Sequence, residues 1–119
     1  MRYLIILTRG ENWKDGIRLP DQPWMPEHAV YVQNKFDSGD VLVAGPFDDH
    51  TGGAILIDVE KKEDLLKFAQ NDPAVVNGIF KFELKPWAGL MNKYENRSPN
   101  FGQEYIDYKH SVQKELNIL

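Results

Sequence analysis

From Phe80 to Lys85 the chain alternates Phe80, Phe82 and Leu84 with Lys81, Glu83 and Lys85. A period of two with one charged side predicts a strand that is buried on one face and open on the other. Pro86 ends it, since proline has no N–H to give a ladder. Such a strand needs partners in an antiparallel sheet and a layer of helix over its apolar side. The rest of the chain must supply both.

Three further segments read as strands. Arg2 to Thr8 is rich in β-formers and stops at Arg9-Gly10. Val41–Phe47 and Ala54–Val59 flank the turn-forming run Asp48-Asp49-His50-Thr51-Gly52-Gly53 and form a hairpin. Between the first two strands, Pro26 and Glu27 suit the start of a helix, Ala29, Val32 and Phe36 recur at helical spacing, and Gly39 supplies the stop. Leu65, Leu66, Phe68 and Ala69 mark a second helix near whose end Asn71-Asp72-Pro73 breaks the pattern, because a residue before proline is pushed out of the α region. The order β-α-β-β-α-β predicts an α+β, ferredoxin-like fold with a four-stranded antiparallel sheet. The expected domain is 1–91, and 92–119 forms a polar linker and an extra C-terminal amphipathic helix with Phe101, Tyr105, Tyr108, Val112 and Leu116 on one side.

Two helices cover only one face of such a sheet, yet strand one is apolar on both sides, with Tyr3, Ile5 and Leu7 against Leu4 and Ile6. An open apolar face is an interaction surface. A homodimer formed sheet to sheet is the expected partner, and the last helix is expected to pack across that interface or along a sheet edge.

The composition narrows the function classes. A chain of 119 residues with 42% hydrophobic and 27% charged residues is an ordinary globular one. With net charge −4 and no Lys/Arg cluster, no nucleic-acid partner is expected. There is no cysteine, hence no disulfide and no thiolate nucleophile. The apolar run Tyr3–Leu7 is too short for a signal segment or a membrane span, so a cytoplasmic protein with no membrane partner is expected.

Few residues carry chemistry. His28 falls on the line His28, Val32, Phe36 and therefore borders the buried stripe of helix one. In the first turn, the helix dipole favours its neutral ring. It reads either as a general acid-base or as a hydrogen-bonded structural histidine. Asp72, before Pro73, is a natural N-cap for a turn over Pro73–Asn77. His50 beside Asp48 and Asp49 offers poor ligand convergence and reads as turn chemistry, so no metal and no cofactor is expected. Ser38, Thr51 and Ser111 lack an evident base. Tyr3, Trp24 and Gly45 are candidate substrate-binding residues. The stretch from Gly10 to Pro23 is long for a loop in so small a domain, and Trp13 and Trp24 are candidate anchors folding it over a pocket.

From about Pro26 to Trp87 the chain resembles the YCII-related proteins. The likeness is carried by His28, Ser38-Gly39, Val41-Leu42-Val43-Ala44-Gly45-Pro46-Phe47, Gly53 to Val59, Asn71-Asp72-Pro73, Gly78 and Lys85-Pro86-Trp87. The resemblance implies the dimeric α/β-barrel form of the fold, with His28 and Asp72 paired in a pocket between helices and sheet. It implies a small-molecule ligand and acid-base chemistry on a cyclic or aromatic compound, by isomerisation or elimination. One member type eliminates chloride from a chlorinated hydroxyquinol, and the wider superfamily includes muconolactone isomerases and haem- or quinol-handling monooxygenases. A non-catalytic binding or assembly module is the alternative. Members often carry an arginine shortly before the histidine; this chain has Met25 there, leaving Arg9 and Arg18 as candidates for anion recognition. If the pair forms, an imidazole nitrogen of His28 is expected within about 3.5 Å of an Asp72 oxygen.

Overall fold

The computed structural model describes residues 1–96 and 98–118; Arg97, in the expected linker, and Leu119 lie outside the described residues. The chain forms two compact units, Met1–Ala88 and Gly89–Leu119. The first contains β1 (Arg2–Arg9), α1 (Met25–Asp37), β2 (Val41–Pro46), β3 (Gly52–Asp58), α2 (Lys62–Gln70), α3 (Pro73–Val76) and β4 (Phe80–Pro86). All strand pairings are antiparallel in the order β2-β3-β1-β4, so the α+β ferredoxin-like reading holds.

The pairing register explains the core. Ile5 on the central β1 stands opposite Ile55 on one side and Leu84 on the other, and Leu7 stands between Gly53 and Phe82. Residues directly opposite point to the same face, so Tyr3, Ile5, Leu7, Ile55 and Ile57 form one apolar layer, all buried. Leu65, Phe68 and Ala69 of α2, Val32 of α1 and Ala74 of α3 complete that core. The opposite face carries Leu4, Ile6, Ala54 and Leu56, all half-buried, with Val43 exposed, and β4 adds Lys81, Glu83 and Lys85 to it.

The structure changes two expectations in detail. Tyr3 belongs to the core layer, opposite Ile57 and Pro86, and its backbone alternation fixes it there. Phe36, expected on the buried stripe, is 51% exposed, because the last turns of α1 border a cavity where Val32 meets packed core.

The second unit contains α4 (Gln103–Glu115), preceded by Gly102 as an N-cap without a side-chain bond. The Phe101 and Tyr105 rings touch with centroids 4.7 Å apart, and Lys109 lies over both Tyr105 and Tyr108. None of the side chains of α4 is buried. Among the described residues no helix is long and apolar enough to cross a membrane.

Candidate active site

The first turn of α1 is set by the residue before it. Trp24 adopts the left-handed conformation (φ 68°), which costs a side-chain-bearing residue roughly 1–2 kcal/mol. That turn buries Met25 and directs the Trp24 carbonyl to accept the His28 backbone N–H at 2.9 Å. The His28 side chain then lies over Phe80 in an edge contact, with ring centroids 5.5 Å apart.

Asp72 reaches His28 from the other side of the helical layer. α2 ends at Gln70 and Pro73 starts α3, so Asp72 is held between two helices. Its Oδ1 accepts the Ala74 N–H at 2.9 Å, the N-cap expected of an Asp-Pro pair. Its Oδ2 lies 2.6 Å from His28 Nδ1, within the expected limit. Asp72 is 2% exposed and the His28 side chain 18% exposed. The two oxygens thus have separate tasks, one on the backbone and one on the imidazole.

An ionised carboxylate only accepts, so Nδ1 carries the hydrogen. In the neutral ring, the lone pair then sits on Nε2. Tyr31, one turn further along α1, donates its hydroxyl to the Phe68 carbonyl at 2.8 Å and stacks on Phe68. Burial, and secondly the charge of Asp72, push the Tyr31 hydroxyl above the ordinary tyrosine range. The phenol therefore stays protonated beside the pair.

His28 lies on the wall of a cavity of about 620 Å³ between α1 and the sheet. Leu7, Met25, Ala29, Val32, Phe36, Ile55 and Phe80 line it, with Gly45 and Gly53 as its floor and Leu19 and Pro20 at its side. Among the described residues, the polar side chains on this wall are His28 and Gln33. Gly53 is packed too closely for a side chain: a Cβ there would stand 2.8 Å from the Gly45 carbonyl oxygen.

The long loop contributes to this wall by a route the sequence reading missed. Leu19–Asp21 forms a 3₁₀ turn that presents Leu19 and Pro20 to the cavity. Gln22, 2% exposed, fixes it: Oε1 accepts from Lys14 N, and Nε2 donates to the carbonyls of Lys14 and Ile17. Trp13 stacks on Phe80 and packs against the core, whereas Trp24 is 45% exposed; neither is among the residues lining the cavity. Of the candidate binding residues, Gly45 lines it and Tyr3 and Trp24 do not.

Arg9 and Arg18 do not line the cavity either. The Arg9 guanidinium lies over Trp13 and donates to the His50 carbonyl at 3.4 Å. Met25, standing where an arginine was noted in relatives, is a buried apolar wall residue. His50 takes a positive φ in the hairpin, and Asp49 accepts from both the amide and the hydroxyl of Thr51, which holds its carboxyl below the usual range. Among the described residues no group of three or more His, Asp or Glu side chains is placed to hold a metal ion.

The antiparallel β2-β3-β1-β4 sheet under its helices places the chain among ferredoxin-like α+β proteins. Within that class the chain belongs to the YCII-related family: the YCII-related domain matches residues 1–88. This match takes in β1 and the long loop as well as the motif-bearing span from Pro26 to Trp87. An uncharacterized protein of Bacillus subtilis (strain 168), YjpA, is 37% identical over 85 residues, which are 71% of this chain and 92% of that protein. In fold, the chain is similar to 5-chloro-2-hydroxyhydroquinone dehydrochlorinase (TftG) of Burkholderia phenoliruptrix AC1100, solved in complex with 2,5-dihydroxybenzoquinone. The TM-score is 0.57 at 21% identity, covering 74% of this chain and 94% of that one.

Proposed function

We propose that this protein is an enzyme performing acid-base chemistry on a small cyclic or aromatic molecule held in the α1–sheet cavity. The observation that carries the reading is the 2.6 Å contact between His28 Nδ1 and buried Asp72 at the wall of an otherwise apolar cavity. Asp72 holds the Nδ1 hydrogen and the ring orientation, and His28 Nε2 takes a proton from the ligand. In an elimination, the electron pair left on carbon forms the new double bond as the leaving group departs with its own pair. In an isomerisation, the imidazolium returns the proton at another carbon. Among the described residues no lysine or arginine lines the wall, which favours neutral rings over carboxylates. The fold neighbour's name points to the same class, ring compounds carrying hydroxyls.

The reading extends to assembly: two copies pair through the face bearing Leu4, Ile6, Val43 and Leu56, in the manner of a dimeric α/β barrel. Support comes from the apolar character of that face.

The test is a thermal-shift and NMR panel of phenols, lactones and hydroxyquinols on the wild type and His28→Ala. Chloride release is measured for chlorinated hydroxyquinols. Ligands are expected to shift resonances of His28 and its wall neighbours, and turnover is expected to fall by at least about a hundredfold in the variant, the scale of a general acid-base contribution. A panel in which nothing binds near His28 removes the enzyme reading. A second reading has its own support, since Asp72 also caps α3 and the pair then serves structure alone. In that case His28→Ala costs about 1–3 kcal/mol of stability with no ligand effect. The variant strands the buried Asp72 Oδ2 under the enzyme reading as well, so ligand binding and turnover, not stability, separate the two.

A further inference from the structure

The cavity has a second polar side chain, Gln33, to which the reading above gives no role. At about 100° per residue, with His28 taken as zero, Val32 falls near 40°, Met25 near 60°, Phe36 near 80°, Ala29 near 100° and Gln33 near 140°. The apolar stripe that faces the cavity is therefore flanked by His28 on one edge and Gln33 on the other. Along the helix axis the two lie about 7.5 Å apart, five residues at the α-helical rise. Both line the cavity. The His28 edge is built in, through Asp72 and Phe80. The Gln33 amide is exposed and, among the described residues, has no hydrogen-bond partner.

The geometry points to Gln33 as a specificity-determining residue that hydrogen-bonds a polar substituent on the ligand edge opposite His28. This inference rests on the proposed ligand cavity and narrows its substrate class. Among the described residues, the polar side chains that a ring on the apolar stripe meets stand at two opposed edges, so the favoured ligand is a single ring with a polar substituent on each. A ring with one such group satisfies His28 and gains nothing from the amide at its other edge. Gln33 can donate through Nε2 or accept through Oε1, and among the described residues no Asp or Glu lines the cavity to balance a cation, so the second substituent is a hydroxyl or a carbonyl oxygen.

Hydroquinone and 4-methylphenol, which have nearly the same shape and differ in one hydroxyl, test this by NMR titration of the full chain. Wild type is expected to bind hydroquinone about three- to tenfold more tightly, the scale of one net hydrogen bond. Its Gln33 side-chain amide resonances are expected to move with hydroquinone and stay with 4-methylphenol. Gln33→Leu is expected to abolish the preference by weakening hydroquinone alone, and Gln33→Glu to retain it by accepting from the hydroxyl. Gln33 is exposed, so folding of each variant is checked by its amide spectrum. A preference unchanged in Gln33→Leu, or no preference in wild type while both compounds shift His28, overturns the Gln33 role and leaves the cavity reading standing. If neither compound perturbs the cavity, the Gln33 role falls, and the wider panel decides the cavity reading by itself.

Discussion

At the scale of single residues, Asp72 shows how one carboxylate can be legible twice. Its position before Pro73 marks a helix cap, and the structure uses one oxygen for that purpose. The other oxygen meets a histidine 44 positions earlier, a contact with no local signal. A different carboxylate, Asp58, gives a pH test. Hydrogen bonds from the Arg2 guanidinium at 2.9 and 3.1 Å hold its carboxyl below the ordinary range, outweighing a burial effect of opposite sign. A lowered folded-state value means that the stabilisation is fully present above the unfolded carboxylate value of about 3.9 and is lost as pH falls through the folded one. The Asp58 side chain is 45% exposed, so water screens the pair and its worth is below about 1 kcal/mol. Urea denaturation of Asp58→Asn is expected to show a small deficit against wild type at pH 7 that shrinks once the pH falls below the ordinary carboxylate range. A deficit unchanged in acid would sink this assignment.

Among the elements, the loop between β1 and α1 departs most from its sequence reading. Of its two tryptophans, Trp13 packs inward, onto Phe80, and Trp24 is 45% exposed. The anchor that shapes the cavity wall is Gln22, a polar residue buried because three backbone groups of the same loop satisfy its amide. Removing that amide strands those groups, so Gln22→Ala is expected to cost about 1–3 kcal/mol. Hydrogen exchange should speed up at Lys14, whose N–H donates to Gln22, and ligand affinity should weaken through displacement of Leu19 and Pro20. Unaltered exchange at Lys14 together with unaltered stability would show that the loop holds without it. Secondary structure elsewhere was legible because periodicity is local: the β4 alternation, Gly39 after α1 and the Asp72-Pro73 break all sit where the elements begin or end. Element ends moved by a residue or two, as at Met25 and Gly52, because pairing and capping rather than composition decide them.

For the whole molecule, the proposed dimer is the assembly prediction. The face bearing Leu4, Ile6, Val43 and Leu56 is expected to bring two copies together, and Leu56→Glu to abolish association by placing a charge in its centre. The tail is proposed to add to that interface, since α4 carries Tyr105, Tyr108 and Val112 without burying any of them. Sedimentation of wild type, Leu56→Glu and a chain ending at Leu90 tests both ideas. A monomeric wild type at tens of micromolar removes the dimer proposal, and a shortened chain of unchanged mass and thermal stability removes the role of the tail.

The order of elements, the ferredoxin-like class, the family and the candidacy of His28 and Asp72 can all be read from the chain, because each is written in local periodicity, turn chemistry or motif order. Tertiary structure alone decided what faces the cavity. Tyr3 and Ile5 share one periodicity with Leu7, yet only Leu7 reaches the cavity wall. Gln33 is one more polar residue on an amphipathic helix until β2 and β3 pass beneath it. The physical reason is that a cavity is bounded by elements distant in sequence, and its shape depends on where they fail to touch. No spacing within a single segment encodes that gap.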